Sequence, residues 1–301
     1  AREKNIYGVS ELDIINEFAS ISKISLLSAL AIRSVVSFKN VEVFSLDEFY
    51  PIKAKEQQSR NYRIHEDFIS QVDILAENVH IIDGTVPTNK VTKYCAEYDR
   101  KARNIDLMVI GMGEQGQIGF NEPGSYAKSV TRLVQLTYQS RKQQAGLFHG
   151  AENTPKMAIT MGLNTVMSAK RIILMAWGED KANTLRKVVE EDSTRLLPAS
   201  MLQNHPAIEA VVDDAAGDLL TVKKAPWLVG ACDWTPRLVR KAVVWLCNVV
   251  KERNIDLLLI AGDIFDSPNP SAEAQRMFYS FLTRITSENK DLQVIITAGN
   301  H

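Results

Sequence analysis

Short apolar runs alternate with amphipathic stretches along most of this chain, and that rhythm constrains its fold more than any other property. Residues 41–46, 105–110, 132–137, 157–161, 171–177 and 208–212 carry strand patterns, whereas 61–74, 91–102, 138–147, 180–191 and 198–204 carry helical spacing. Strands separated by helices imply an α/β fold with a doubly wound parallel sheet and right-handed crossovers. Such sheets collect ligand chemistry where their strands end. The run 105–110 ends in the glycine-rich stretch Gly111-Met112-Gly113-Glu114-Gln115-Gly116-Gln117-Ile118, which makes that loop the first candidate site. Residues 10–36 break the rhythm and predict one or two helices, with Ser10 as N-cap and Asp13 three positions on. Near the other end, Ala225-Pro226-Trp227 marks a turn. Thr235 and Pro236 supply the N-cap and first position of a helix running through Trp245 towards Arg253. A strand over 256–261, a helix over 271–287 and a strand over 293–297 follow, a βαβ fragment of a second α/β fold.

With 301 residues the chain has room for one large domain or two smaller ones. Its 35 basic and 36 acidic residues leave a formal charge of -1, so no global field draws it to nucleic acid or to a membrane surface. Cys95, Cys232 and Cys247 are widely separated, with no C-x-x-C and no histidine at metal spacing, as expected for reduced thiols in a cytoplasmic protein. The apolar stretch 24–36 is interrupted by Arg33 and is too short for a bilayer, and no small-residue cleavage site makes it a secretion signal. A homo-oligomer stays open. The chain starts at Ala1 and stops at Gly299-Asn300-His301 with no closing element, as a cut chain would.

The continuation of the loop is more specific. Gly119-Phe120-Asn121-Glu122-Pro123-Gly124-Ser125 resembles the active-site segment of glucosamine-6-phosphate deaminases, whose pattern is Gly-x-Asp-Gly-His-x-x-Phe-Asn-Glu-Pro. Phe-Asn-Glu-Pro separates that family from the related phosphogluconolactonases, whose loop ends in Ser-Leu-Phe-Pro. The resemblance runs over residues 37–248 and includes Phe44-Ser45-Leu46-Asp47-Glu48-Phe49-Tyr50, Thr160-Met161-Gly162, Pro198-Ala199-Ser200 and Leu202-Gln203-Asn204-His205-Pro206. Pro226-Trp227-Leu228-Val229-Gly230 and Trp245-Leu246-Cys247 look like a Bacteroidetes-type branch, whose members often carry an additional C-terminal domain. The resemblance implies a deaminase/isomerase-like fold that opens an amino-sugar phosphate, moves a proton between two carbons and expels ammonia to leave fructose 6-phosphate. It implies a small phosphosugar partner and no cofactor. By position Asp47 is the proton-shuttling carboxylate, Glu122 the support of the ring-opening histidine, and Gly111, Gly113, Arg132 and Lys181 the substrate contacts.

The departures weigh as much as the matches. Gln117 stands where the family has its ring-opening histidine and Gln115 where it has the aspartate orienting that histidine. An amide does not titrate near neutral pH, and loss of a positioned acid/base typically costs ~10²–10⁴-fold. Gly146 falls where the family places a phosphate-binding arginine. Upstream, a Gly-Gly-Thr-Pro-type loop should cradle the phosphate at a helix N-terminus. The chain instead has Asn16-Glu17-Phe18-Ala19-Ser20-Ile21-Ser22, with no glycine between Gly8 and Gly84. The sequence therefore predicts the deaminase fold and lineage with ring opening and phosphate anchoring both compromised. The alternative is a catalytically silent sugar-phosphate-binding or structural relative.

From about Ile255 the pattern changes. Ile260-Ala261-Gly262-Asp263-Ile264-Phe265-Asp266 and Ala298-Gly299-Asn300-His301 resemble the second and third motifs of calcineurin-like metallophosphoesterases. With Pro270-Ser271-Ala272-Glu273-Ala274-Gln275, the likeness is to the nuclease subunit of the SbcCD type. It implies metal roles for Asp263 and Asn300 and a phosphate contact for His301. Trp234-Thr235-Pro236 offers nothing like the family's first Asp-x-His motif, and two of about five ligand motifs cannot hold two manganese ions. A fragment of a metal-dependent DNA exonuclease is the third reading. The expected organisation is a helical segment over 1–36, a deaminase-like domain over 37–248 and a partial phosphoesterase-like segment over 249–301. The two parts would meet within one helix, and natural fusion, assembly artefact and chimera stay open.

Overall fold

Each strand of the predicted series forms, most of them shorter than the apolar run, while 208–212 forms over its full length. The computed structural model describes residues 37–262, 264–265 and 269–297, and the chain divides into two compact units, Ala1–Leu220 and Thr221–His301. The first unit contains β1 (Val43–Phe44), β2 (Asp47–Tyr50), α1 (Arg60–Asp67), β3 (Val79–His80), α2 (Thr88–Lys101), β4 (Leu107–Gly111) and β5 (Arg132–Gln135). It continues with α3 (Tyr138–Gln143), α4 (Ala145–Phe148), β6 (Met157–Thr160), α5 (Leu163–Met167), β7 (Arg171–Ala176), α6 (Ala182–Glu190) and β8 (Ile208–Val212). The predicted helix 10–36, its cap Ser10 and the segment 16–22 lie outside the described residues.

Strands β4, β7 and β8 form a parallel sheet in that order, with Ile110 beside Leu174 and Leu174 beside Ala210. A second parallel pair joins β1 to β3. The fold class is therefore the α/β type predicted. One layer departs from it: β2, β6 and β5 pair antiparallel, and Thr160 on the middle strand faces both Asp47 and Arg132. Apolar periodicity reports burial and not pairing direction, so it could not announce this sheet. It also ran β1 into the next residues, whereas the chain breaks after Phe44 and starts a new strand at Asp47.

The main core lies along the parallel sheet, where Ile82, Ile118, Ile159, Leu163, Ile172, Leu185 and Leu202 are wholly buried. A smaller cluster beneath the antiparallel sheet joins Phe49, Ile52, Phe120, Leu136 and Ala158. There the Phe49 ring lies 5.2 Å from Phe120 and 4.9 Å from Phe148. Phe120 thus clamps the glycine-rich loop onto β2. Segment Pro198–Asn204 forms where predicted, but as a 3-10 helix. The Ser200 hydroxyl accepts from Thr194 N–H at 2.8 Å and donates to Leu197 C=O at 2.6 Å, and such side-chain bonds compete with α-helical ones.

The second unit contains α7 (Thr221–Lys224), α8 (Pro236–Glu252), β9 (Leu257–Ile260), α9 (Ala272–Glu288) and β10 (Gln293–Ile296). The N-cap holds as predicted: Leu238 N–H donates to Thr235 Oγ1 at 3.2 Å, and Pro236 takes the first helical position. Strands β9 and β10 pair parallel around α9, and Cys247, Val250, Phe281, Ile285 and Leu292 form the core. Residue 248, the boundary expected from the sequence, falls inside α8. Asp263, Asn300 and His301, the expected metal contacts, lie outside the described residues. Among the described residues no helix is long and apolar enough to cross a membrane.

Candidate active site

Asp47 lies a few residues past the end of β1, as its sequence position implied, and also opens the antiparallel β2. The glycine-rich loop descends onto it at Gly119. That residue has φ 54°, and a Cβ there would stand 2.8 Å from Asp47 Oδ2 and 3.0 Å from Thr160 Oγ1. Only a glycine allows this approach. Phe120 N–H then donates to Thr160 Oγ1 at 3.2 Å, fixing the loop to the sheet that carries Asp47. Burial pushes the Asp47 carboxyl above its ordinary range; the Arg60 guanidinium pulls it back and the neighbouring Glu48 charge adds to the rise.

Glu48 explains how Arg60 arrives. Its side chain, 1% exposed, accepts from Phe49 N–H (2.8 Å), Ser59 Oγ (2.7 Å), Arg60 N–H (2.9 Å) and Asn61 N–H (2.8 Å). Two of those donors are the first N–H groups of α1, which have no partner within a helix and favour a negative charge. The helix start is pinned to β2, and Arg60 reaches Asp47 Oδ1 from Nε at 3.3 Å and Gln144 Oε1 from Nη2 at 3.4 Å. Its guanidinium lies 5.2 Å from the Phe49 ring centroid.

Where the family has an acid/base, this chain has a row of amides. Gln115 N–H donates to Gln117 Oε1 at 2.9 Å, Gln117 Nε2 donates to Gln143 Oε1 at 2.9 Å, and Gln143 Nε2 donates to Glu114 Oε2 at 3.3 Å. A Cβ on Gly113 would meet Gln117 Cδ at 2.3 Å, so the loop wraps this amide closely. Gln117 is held at both ends and offers no titratable group. Gln115 contributes its backbone N–H to that bond.

These groups surround a cavity of about 480 Å³. Of the residues predicted from sequence, Asp47, Gly111, Gly113, Gln117 and Lys181 line it. Glu122, Gln115 and Arg132 are not among its lining residues. Glu122 instead accepts from Thr137 N–H at 3.1 Å and from Thr137 Oγ1 at 3.2 Å, at the start of α3. Arg132 donates to Asn121 Oδ1 at 3.0 Å, and burial lowers its pKa. Asn121, wholly buried, donates onward to Ile118 C=O at 2.9 Å and Met161 C=O at 2.7 Å. The arginine and the motif asparagine therefore brace the loop. Lys181 is paired with its neighbour Asp180 at 2.9 Å. Sequence reasoning missed Arg60, Glu114, Gln143 and Gln144, all on the cavity wall. Ser59, an N-cap residue before a helical run, was the available signal for Arg60. Among the described residues no group of three or more His, Cys, Asp or Glu side chains could hold a metal ion.

The sequence profile of glucosamine-6-phosphate isomerases/6-phosphogluconolactonase matches residues 22–211, and that of calcineurin-like phosphoesterases matches residues 233–301. A glucosamine-6-phosphate deaminase-like protein of Bacteroides thetaiotaomicron is 39% identical over 217 residues, 71% of this chain. The chain spans only 33% of that relative's length. The glucosamine-6-phosphate deaminase of Shouchella clausii is 35% identical over 190 residues, 62% of this chain and 76% of that enzyme. The solved structure of a monomeric glucosamine-6-phosphate deaminase gives a TM-score of 0.63 at 31% identity, covering 65% of this chain and 82% of its own.

Proposed function

We propose, for a chain that belongs to the glucosamine-6-phosphate isomerase/6-phosphogluconolactonase family, that its cavity keeps the proton shuttle of an amino-sugar-phosphate deaminase and has lost the ring-opening step. The observation that carries this reading is the fate of Gln117, whose amide is tied to Gln115 N–H and Gln143. Nothing at that point can give a proton to a ring oxygen and take it back. Asp47 remains suited to carbon-acid work. It lies in the cavity wall, partly desolvated, with its pKa raised towards the working range of a general base. It would take a proton from the carbon beside the carbonyl of an open-chain phosphosugar and return it to the neighbouring carbon. Lys181 would meet the phosphate, and the protein would act in the cytoplasm. The amide row leaves the cavity able to hold the sugar but dependent on whatever open-chain form solution supplies. We assign this role to the first compact unit, which carries the family match over residues 22–211, and not to the second.

Exchange of carbon-bound hydrogen isolates the shuttle from ring opening and ammonia loss. In D₂O the chain should catalyse slow deuterium incorporation at C1 of fructose 6-phosphate, followed by NMR, and Asp47→Asn should abolish it. The exchange rate should climb as pH rises through a carboxylate titration displaced above the ordinary value, because the ionised form is the base. Exchange that survives in Asp47→Asn would remove Asp47 from the mechanism.

The phosphoesterase-like match over 233–301 supports a second parentage for the tail, not a second activity. Asp263, Asn300 and His301 are too few for chemistry in which two ions clamp attacking and leaving oxygens. Titration of the full chain with Mn²⁺ should reveal at most one weak site and no cleavage of DNA. Two tight ions per chain, or cleavage lost in Asp263→Ala, would overturn this.

A further inference from the structure

We infer that the ligand preferred by this cavity is an acyclic sugar acid, whose carboxylate is held by Arg60 beside Asp47. The inference rests on the reading of the cavity as a sugar site and goes beyond it in naming the ligand's form and the position of its charge. A cation 3.3 Å from Asp47 places any anion it binds next to the proton-transfer end of the ligand, not at a distant phosphate. The Arg60 guanidinium has donors to spare. It carries five N–H groups in a planar fork, and its bonds to Asp47 and Gln144, at 3.3 and 3.4 Å, are long beside the about 2.7–2.9 Å of a tight charge-assisted pair. The fork can therefore bridge Asp47 and an incoming carboxylate, and the Phe49 ring at 5.2 Å supports the guanidinium from the side. Its placement is built in, because the buried Glu48 holds both helix N–H groups and the Ser59 cap that set the start of α1.

In the rest of the wall Glu114 and Lys181 bring opposite charges, and the neutral groups suit the same ligand. A sugar acid in its acyclic form has no ring, so the absence of a proton donor at Gln117 costs it nothing. The neutral lining groups Ser140, Gln143 and Gln144 can donate to and accept from hydroxyls spaced along an extended polyol. A cavity of about 480 Å³ lies within the about 300–1,000 Å³ usual for small-molecule sites.

Calorimetric titration of the full chain tests this with gluconate, sorbitol, glucosamine 6-phosphate and inorganic phosphate as probes. Gluconate and sorbitol share a six-carbon acyclic skeleton and differ in the acid group. Gluconate should bind at least about tenfold more tightly than sorbitol, the scale of one charge-assisted contact, and should displace glucosamine 6-phosphate. In Arg60→Gln the preference should vanish while sorbitol binding persists, and Arg60→Lys should restore part of it, since lysine keeps the charge but not the fork. If glucosamine 6-phosphate binds and gluconate is no better than sorbitol, the inference falls and the sugar-site reading stands. If neither gluconate nor glucosamine 6-phosphate binds, both fall. Inorganic phosphate competing as well as gluconate, or a preference unchanged in both variants, would also overturn it.

Discussion

Ammonia release from glucosamine 6-phosphate is expected to run ~10²–10⁴-fold below that of a relative with histidine at the position of Gln117. That range corresponds to about 3–5 kcal/mol of lost transition-state stabilisation. Converting Gln117 to His and Gln115 to Asp together should recover less than about tenfold, because a histidine must be held in one tautomer and orientation before it can shuttle a proton. Gln115→Asp restores a carboxylate to orient it, but Glu122, the second support implied by the resemblance, is committed to Thr137 N–H and Oγ1. On the proposed reading the phosphate contacts are also weakened, since the family resemblance implies an arginine at the position of Gly146 and Lys181 is engaged with Asp180. A Cβ on Gly146 meets nothing within 4 Å, so Gly146→Arg has room to fold and is the natural third substitution. A coupled ammonia assay of kcat/KM on the unmodified chain, the double variant and the triple variant decides the matter. Turnover by the unmodified chain within about tenfold of a histidine-bearing relative would show that the amide row does not block ring opening.

The residues that made the sequence recognisable do different jobs from one another, and that explains what could be read from it. Asp47 and the glycine loop were legible because the loop must lie against the carboxylate, and only glycine fits at 119. Asn121, Gly162, Ser200, Gln203 and His205 belong to the same motifs yet work as braces. A Cβ on Gly162 would stand 2.1 Å from the Ser129 carbonyl oxygen, Gln203 Nε2 donates to Glu191 C=O at 2.9 Å, and the His205 ring bonds Ala169 C=O at 2.7 Å. A motif does not distinguish such braces from reacting groups. Arg60 was invisible for a different reason. An arginine opening a helix after Ser59 is usually solvated, and only the antiparallel pairing of β2 with β6, which periodicity does not encode, carries Asp47 and Glu48 together to meet it. Glu122 was not legible as a cap, because its partner Thr137, at the start of α3, offers its side chain an N–H and a hydroxyl from 15 residues away. Such a capping contact forms between residues distant in the sequence.

Glu48→Ala is expected to destabilise the first unit by about 3 kcal/mol or more, the largest stability effect of a single substitution in the site. The carboxylate accepts four hydrogen bonds at 2.7–2.9 Å while 1% exposed. Bonds to a charged group contribute about 1.5–3 kcal/mol each, they are not additive, and truncation strands buried donors that water reaches poorly. Against a total stability of about 5–15 kcal/mol the loss is large enough to shift a denaturant midpoint clearly at unchanged slope. Glu48→Gln separates charge from shape. It keeps one acceptor oxygen but turns an NH₂ towards either Asn61 N–H, with Ser59 Oγ free to turn and accept, or Phe49 and Arg60 N–H, so at least one backbone donor faces a donor and the cost should be about 1–3 kcal/mol. Both variants should also lose deuterium exchange at C1 of fructose 6-phosphate under conditions where they remain folded by circular dichroism, since freeing the start of α1 removes Arg60 from Asp47. A midpoint that moves by less than about 1 kcal/mol in Glu48→Ala would mean that water replaces the carboxylate at no great cost. Full exchange activity in a folded variant would show that the position of α1 does not govern the proton shuttle.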